Sequence, residues 1–483
     1  MKEAANISWY QYRPLWWLLL LLVVLRMPTL DRPLSKHDDF NNAVVLINAV
    51  SWQQAGGAGK FCFTPVMNFQ GESNKLLEKG NHIDANGNHV YLSFGAGWYV
   101  LPYFVFISLG IMPNELALEM LNLLVGLLST VLLFRLLTTA TQDKNASFNA
   151  TLLFVLLPTP LWYMGHSYVT TGILMPLLIG LLQLWYHMAN QSRISWQQYL
   201  LFFLLCLALS YFDWIGVFLP AGMAAWYLVQ KKWQRDSILF IAAAGLAAMS
   251  AILLILSQFA CHLGWEQVEG YWLSRFSERS VSAGQSTMGH SLKIFLRFLL
   301  AGYGPLLLVV LISFFSASAK RAPHHWIHFA IGITLVYNLV FLNWSLEHEF
   351  AWMVMSLLMI LWLAFRRTEW LAGKAGKRWI ILAAGCSLVI YFFINQPGSI
   401  SQSGQPYDLQ KKLGEKIASS IPADAVIFTN LSNAKIEEWY AGRTFNQARS
   451  MDDAWRIADS LQLPKAVWME LRDNRIVELK PIK

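Results

Sequence analysis

The sequence predicts an all-α polytopic membrane protein of about 11–13 transmembrane helices, carrying a small extracytoplasmic α/β domain at its C-terminus. Three observations predict it. The chain of 483 residues is 55% hydrophobic and 14% charged, where soluble domains carry about 25% charged residues. The apolar residues fall in long runs nearly free of charge: Leu15–Leu25, Val100–Ile111, Leu116–Leu137, Thr151–Leu161, Ile173–Trp185, Ile238–Phe259, Phe298–Phe315, Phe329–Leu342, Trp352–Phe365 and Trp379–Ile394. From residue 396 onward the chain turns polar. A helix needs roughly 20 apolar residues to cross the hydrocarbon. Backbone amides in lipid must be satisfied internally, so runs of this kind must be helical.

The elements follow in chain order. The first run is flanked by Arg13 and Arg26 and lacks a small-residue cleavage site, so it reads as a retained anchor. An external loop, 31–90, follows. Within it Asn41–Gln54 is amphipathic and suits a helix lying at the membrane interface. Asn86-Gly87, between residues suited to strands, predicts a hairpin turn. The remaining runs succeed one another closely, broken by a second external loop at 262–291, and complete a transmembrane module over 1–395. In the tail, 396–483, Ala425–Thr429 and Ala466–Leu471 predict strands, with Arg475–Leu479 returning after Asp473-Asn474. Ser450 followed by Asp453 predicts a capped helix start.

Aromatic residues at segment ends (Trp16, Trp17, Trp98, Tyr99, Tyr163, Tyr186, Trp214 and Trp370) suit interfacial belts. The net charge of +8 comes from short basic connections such as Lys231-Lys232, Lys320-Arg321 and Arg366–Arg378. Short basic loops stay cytoplasmic. No basic soluble domain exists to hold a nucleic acid. Walking back from Arg366–Arg378 places the tail and 262–291 outside, and a cytoplasmic N-terminus places 31–90 outside. The two walks disagree by one crossing if Tyr91–Ile111 and Leu116–Leu137 both span fully, unless one segment is broken, as at Gly95 and Gly97. The expected location is a bacterial inner (plasma) membrane. Cys206 and Cys386 read as packing residues within spans. Cys62 and Cys261 both fall in regions assigned outside, where a disulfide between them is permitted.

Five clusters carry chemistry, each with a plainer reading beside it. Lys36-His37-Asp38-Asp39 puts two adjacent carboxylates just past the first run, where one serves as a base or a metal ligand; the plainer reading is a solvated loop before a helix. Asp213, between two hydrophobic segments, is either functional or a helix cap. Glu347-His348-Glu349 is a charged break between spans where His348 can bind phosphate or shuttle a proton, or simply a wet turn. Arg275 and Arg279 lie one helical turn apart and make a fork for phosphate, unless Glu278 pairs with them at the surface. His166 is a lone histidine, a type more often packed than functional.

Taken in order, these pieces resemble the membrane-embedded GT-C glycosyltransferase superfamily, in particular its protein mannosyltransferase and aminoarabinose transferase branch. The matching features are His37-Asp38-Asp39 in the first external loop, the helix at Asn41–Gln54, a partial match of the entry motif from Tyr91 to Pro102, and a terminal domain with a strand followed by Tyr440-Ala-Gly-Arg443. A later motif departs from the pattern: Pro158-Thr-Pro160 leads to His166, and the expected aspartate is absent.

The resemblance implies an inverting glycosyltransferase that moves a sugar from a polyprenyl-phosphate donor to a glycan, lipid or protein acceptor on the extracytoplasmic face. It implies Asp38 as the base, with Asp39 supporting it or binding a divalent metal, and Arg275, Arg279 and His348 on the leaving lipid phosphate. Prenyl chain and membrane lipids would fill the apolar grooves. The alternatives are a lipid-linked glycan ligase or polymerase, a transporter or flippase, or a scaffold. Transporters typically show two related halves with paired broken helices, and no such symmetry is visible here.

Overall fold

The computed structural model describes residues 9–35, 39–78, 80–191, 193–231, 233–280, 288–315, 326–394, 408–432, 434–472 and 475–483. The chain folds as two compact units. One comprises Met1–Leu30, Met120–Leu254 and Ser274–Gln396; the other comprises Asp31–Glu119, Ile255–Leu273 and Pro397–Lys483. Compactness therefore groups the C-terminal tail with the first loop.

The first unit is a helical membrane bundle. Among the described residues five helices of the chain are long and apolar enough to cross a membrane: Glu115–Thr141, Arg235–Leu263, Leu292–Phe314, Glu349–Arg366 and Lys374–Phe393. Shorter apolar helices include Met175–Ala189, Trp196–Phe212, Ile215–Gln230 and Trp326–Val340. Large apolar side chains such as Leu253, Leu300, Ile381 and Phe393 point outward from this bundle. Surface of that kind is costly in water and neutral in lipid. Inside, the Trp185 ring packs on Trp226, Phe240 and Trp326 at centroid distances of 5.4, 5.2 and 6.2 Å. Local signals set the helix starts: Ser195 and Gln198 form a reciprocal capping box, and Pro158 opens a helix where its missing N–H is not needed.

The second unit holds a four-stranded sheet. Its strands are β1 (Val426–Thr429), β2 (Phe445–Gln447), β3 (Ala466–Arg472) and β4 (Arg475–Pro481), in the order β2-β1-β3-β4. β1 runs parallel to β2 and β3, and β4 returns antiparallel to β3. Side chains alternate across the pleat. Ile427 joins Ile417, Phe445 and Met469 on one face, while Phe428 joins Ala454 and Trp468 on the other. Both faces are covered, so β1 is buried along its whole length. The expected strands β1, β3 and β4 are present, and Ser450 caps its helix by accepting from Asp453 N at 3.2 Å. The Asp473-Asn474 turn lies outside the described residues. The short β2 carries no run of its own and was not anticipated.

The first loop forms a compact body within this unit. The turn at Asn86-Gly87 is present: Gly87 has φ +77°, and Ile83 and His89 form a bridge across it. The buried Asp84 carboxylate accepts from Asn86 N and Asn88 N, both at 2.8 Å, and pairs with His262 at 2.9 Å. Burial alone would raise the Asp84 pKa. The bonds from His262, Asn88 and Asn86 outweigh it and hold the carboxyl below its ordinary value. Cys62 and Cys261 form a disulfide, tying the loop to the end of helix Arg235–Leu263.

Several expectations are corrected. Helix Phe40–Gln54 does not expose a polar face along its length: Asn42 to Ala49, Ser51 and Trp52 are buried, because its polar residues find partners inside. Asn48 Oδ1 accepts from Val66 N at 2.7 Å. Trp16 and Trp17 are exposed as a belt requires, but Trp98, Tyr99, Tyr163 and Trp370 are core residues. Cys206 is buried, whereas Cys386 is exposed. The run at Val100–Ile111 yields a helix of 13 residues, Gly97–Leu109, ended by Gly110 at φ +65°. At 1.5 Å per residue it is about 20 Å long, short of a roughly 30 Å hydrocarbon core.

Candidate active site

Lys36, His37 and Asp38 lie outside the described residues. Asp39, next in the chain, is fully buried. Its carboxylate is gripped by Arg32 through two parallel bonds, Nη1 to Oδ2 at 2.5 Å and Nη2 to Oδ1 at 2.7 Å. Ser35 donates to Oδ2 from its backbone N at 2.8 Å and from its hydroxyl at 3.3 Å. Both oxygens are thereby occupied. A divalent ion on Asp39 would have to displace a charge-assisted fork, the strongest hydrogen-bonded pairing available to a carboxylate.

A second carboxylate backs the pair. Glu119, buried in the first turns of helix Glu115–Thr141, faces Arg32 with Oε1 4.0 Å from Nε. Among the described residues neither Glu119 oxygen accepts a hydrogen bond. Arg32 thus sits between two buried carboxylates. On the other side of the loop, Leu34 N donates to the Tyr440 hydroxyl at 2.6 Å. Tyr440 also bonds to the Glu115 carboxylate, and burial together with Glu115 raises its pKa above the ordinary value. Trp439 Nε1 donates to Glu115 Oε1 at 2.8 Å.

The other candidates fall in the helical bundle. Asp213 is buried at the join of helices Trp196–Phe212 and Ile215–Lys231. Its Oδ1 accepts from Ile215 N at 3.0 Å and from the Tyr337 hydroxyl at 2.9 Å. Thr170 donates to it, and the charge of Arg279 acts on both Asp213 and Tyr337. Asp213 is therefore a cap and also the centre of a polar cluster with Tyr337 and Thr170. Arg275 is engaged differently, in an exposed pair with Glu278 at 2.7 Å. The expected two-guanidinium fork is split, because Glu278 at i+3 reaches Arg275 first. His348 stacks on Trp344 at 5.7 Å and its Nδ1 lies 3.0 Å from the Trp344 carbonyl; Glu347 beside it is exposed. His166 is a packed histidine, fully buried, with Nε2 2.9 Å from the Tyr391 hydroxyl and 3.1 Å from Thr29 Oγ1.

Arg32, Glu119, Tyr337 and Trp439 were not singled out from the sequence, and Tyr440 entered only as part of the Tyr440-Ala-Gly-Arg443 motif. Glu119 carried a usable signal, since an acid inside an apolar run is costly unless it has a partner. Arg32 shares the loop with the acidic pair. Nothing local connects Tyr440 to Leu34, 406 positions away, or Trp439 to Glu115, 324 positions away.

No family model matches this sequence, and no curated protein matches it. Solved structures do. ArnT from Cupriavidus metallidurans bound to undecaprenyl phosphate superposes with a TM-score of 0.66 at 12% identity, covering 95% of this chain and 93% of ArnT. The apo state of the same protein gives a TM-score of 0.62 at 10% identity, with the same coverage. The chain therefore shares the fold of ArnT. The oligosaccharyltransferase of Archaeoglobus fulgidus, in its apo form, matches with a TM-score of 0.53 at 13% identity over 96% of this chain and 70% of that one. The shared fold extends over nearly the whole sequence, although almost nine aligned residues in ten differ.

Proposed function

We propose that the protein is an inverting glycosyltransferase of the plasma membrane that takes a sugar from a polyprenyl-phosphate donor and delivers it to an acceptor on the extracytoplasmic face. Asp38 removes the proton from the acceptor oxygen as that oxygen attacks the anomeric carbon. The bond from that carbon to the phosphate oxygen breaks, and the polyprenyl phosphate leaves. Negative charge builds on the leaving phosphate, so a fixed cation there lowers the barrier. Arg279, whose charge acts on the buried Asp213 and Tyr337, is the favoured cation among Arg275, Arg279 and His348.

The observation that carries this reading is the Arg32–Asp39 lock. A buried fork anchors the residue immediately after Asp38 and leaves Asp39 a supporting role. Supporting evidence comes from the GT-C fold and from ArnT, whose structure holds undecaprenyl phosphate. The Cys62–Cys261 disulfide fits an oxidising compartment and so supports an extracytoplasmic placement of loops 31–90 and 262–291. A cytoplasmic N-terminus and an extracytoplasmic tail follow from that placement.

The test is to substitute Asp38→Asn and Asp39→Asn separately and follow radiolabelled sugar from lipid-linked donor to acceptor in isolated membranes. Asp38→Asn should lower transfer about 10²–10⁴-fold, the usual worth of a general base. Full transfer by Asp38→Asn would remove the mechanism.

A further inference from the structure

We infer that the C-terminal domain acts in catalysis by positioning the acid-bearing loop, through Tyr440 and Trp439. The inference rests on the transferase reading above for its catalytic part, and on the hydrogen bonds alone for its structural part.

The helix Lys435–Ala441 is wedged against the first loop and is held on both sides. Gly442 ends it in the left-handed region at φ +61°, a conformation that glycine adopts without strain. Arg443 then turns back into its own domain, donating to the Pro422 carbonyl at 2.9 Å and to the Ala425 carbonyl. The Tyr-Ala-Gly-Arg segment is thus an anchor at one end and a grip at the other. The grip is Tyr440, whose hydroxyl receives the Leu34 amide at 2.6 Å. Leu34 lies between Arg32 and Ser35, the two residues that hold Asp39.

Trp439 grips the opposite wall. It bonds to Glu115 at 2.8 Å, one helical turn from Glu119, and stacks on Phe69 at 6.5 Å. The next strand, β2, continues the attachment. Thr444 N donates to Asn74 Oδ1 at 2.9 Å, Thr444 Oγ1 accepts from Phe69 N at 3.1 Å, and Asn446 Oδ1 accepts from Leu77 N at 2.9 Å. Two of these bonds satisfy backbone N–H groups of the first loop, at Phe69 and Leu77, which would otherwise carry a desolvation cost. A domain that merely packed alongside would not need to supply them. Tyr440 and Trp439 are positioning residues, because they reach the acidic pair through Leu34 and through the Glu115–Glu119 helix start.

The experiment uses the full-length protein in lipid nanodiscs, as wild type, Tyr440→Phe, Trp439→Phe and Asp38→Asn. Amide deuterium exchange is followed over 31–35 and, as an internal control, over β1. The Leu34 amide should exchange roughly three- to tenfold faster in Tyr440→Phe, the worth of one hydrogen bond, with β1 unchanged. Exchange unchanged over 31–35 in both domain variants, or faster there only in step with β1, overturns the grip. Sugar transfer and the affinity for undecaprenyl phosphate are then measured on the same samples. Transfer should fall about 10- to 100-fold in Tyr440→Phe through misplacement of the loop, with undecaprenyl phosphate affinity unchanged. Equal losses of both would indicate general damage and overturn the positioning role, as would wild-type transfer by Tyr440→Phe. Full transfer by Asp38→Asn would instead sink the proposed reaction and leave the exchange result standing, so the two failures are distinguishable.

Discussion

Arg32 and Asp39 meet face to face in a fully buried fork, with Nη1 2.5 Å from Oδ2 and Nη2 2.7 Å from Oδ1. They lie seven positions apart in the chain, so the pair closes a short ring. Glu119 adds a second carboxylate 4.0 Å from Arg32 Nε. The arrangement is asymmetric: two acids depend on one base. Among the described residues, removing the base leaves two buried acids with no cation, Asp39 keeping only the Ser35 donors.

Arg32→Ala should therefore destabilise the protein by about 3–5 kcal/mol, the cost of stranding one half of a buried ion pair. Arg32→Lys keeps the charge but loses the planar fork, so it should cost less stability and still lower transfer. Thermal unfolding in detergent, set beside transfer rates, checks both. Equal stability of Arg32→Ala and wild type would contradict the role given to this residue.

The split between the two helix Trp265–Arg279 arginines gives a sharper contrast. Arg275 spends its charge on Glu278 at an exposed site, where such pairs are worth about 0–1 kcal/mol. Arg279 acts on the buried Asp213–Tyr337 cluster. Arg279→Gln should reduce transfer at least about tenfold more than Arg275→Gln, the loss expected of one charge-stabilising group. Side-by-side rates in membranes measure it, and equal losses would restore the two-guanidinium fork.

The disulfide closes a long stretch of chain, since Cys62 and Cys261 are 199 residues apart. Loss of a native disulfide in an extracellular domain costs about 2–5 kcal/mol. Cys62→Ser and Cys261→Ser should each lower the unfolding midpoint by the same amount, and the double variant should lower it no further. Polyethylene-glycol maleimide should shift wild-type protein by two additional adducts only after reduction. Additive losses, or full labelling without reductant, would refute the pairing.

Asp84 predicts a dependence on acid. Its folded pKa lies below its ordinary value because the bonds from His262, Asn88 and Asn86 outweigh burial. A depressed carboxyl contributes stability above its unfolded pKa and loses it as pH falls through the folded value. Asp84→Asn should flatten the decline in stability below about pH 4, near the ordinary carboxylate value, with little change in slope near neutrality. Unfolding midpoints across pH 3–7 (roughly the window of linkage) decide it; an unchanged acid slope would count against the bond network.

The membrane class was legible because hydrophobic runs are a one-dimensional property, and the C-terminal strands because β1, β3 and β4 are dense in β-favouring residues. The polar surroundings of individual residues were not legible. Helix Phe40–Gln54 reads as amphipathic, yet Asn42 and Asn48 are buried, since only the folded first loop supplies partners such as Val66 N. The acidic pair was found as a pair, but a pairing of residues seven positions apart, as between Arg32 and Asp39, follows no helix or strand periodicity. Tyr440 was noted as part of a motif, while its partner Leu34 lies 406 residues away, a distance over which sequence patterning carries no signal.

The central claim is that this protein breaks a sugar–phosphate bond on a prenyl lipid, using Asp38 as the base. The most direct measurement is mass spectrometry of lipids from purified protein in nanodiscs loaded with polyprenyl-phosphate sugars extracted from the source membranes. Wild type should convert donor to free polyprenyl monophosphate with acceptor present, with the transferred sugar inverted at its anomeric carbon, and Asp38→Asn should leave the donor intact. Release of a polyprenyl diphosphate, or identical conversion by wild type and Asp38→Asn, would contradict the account.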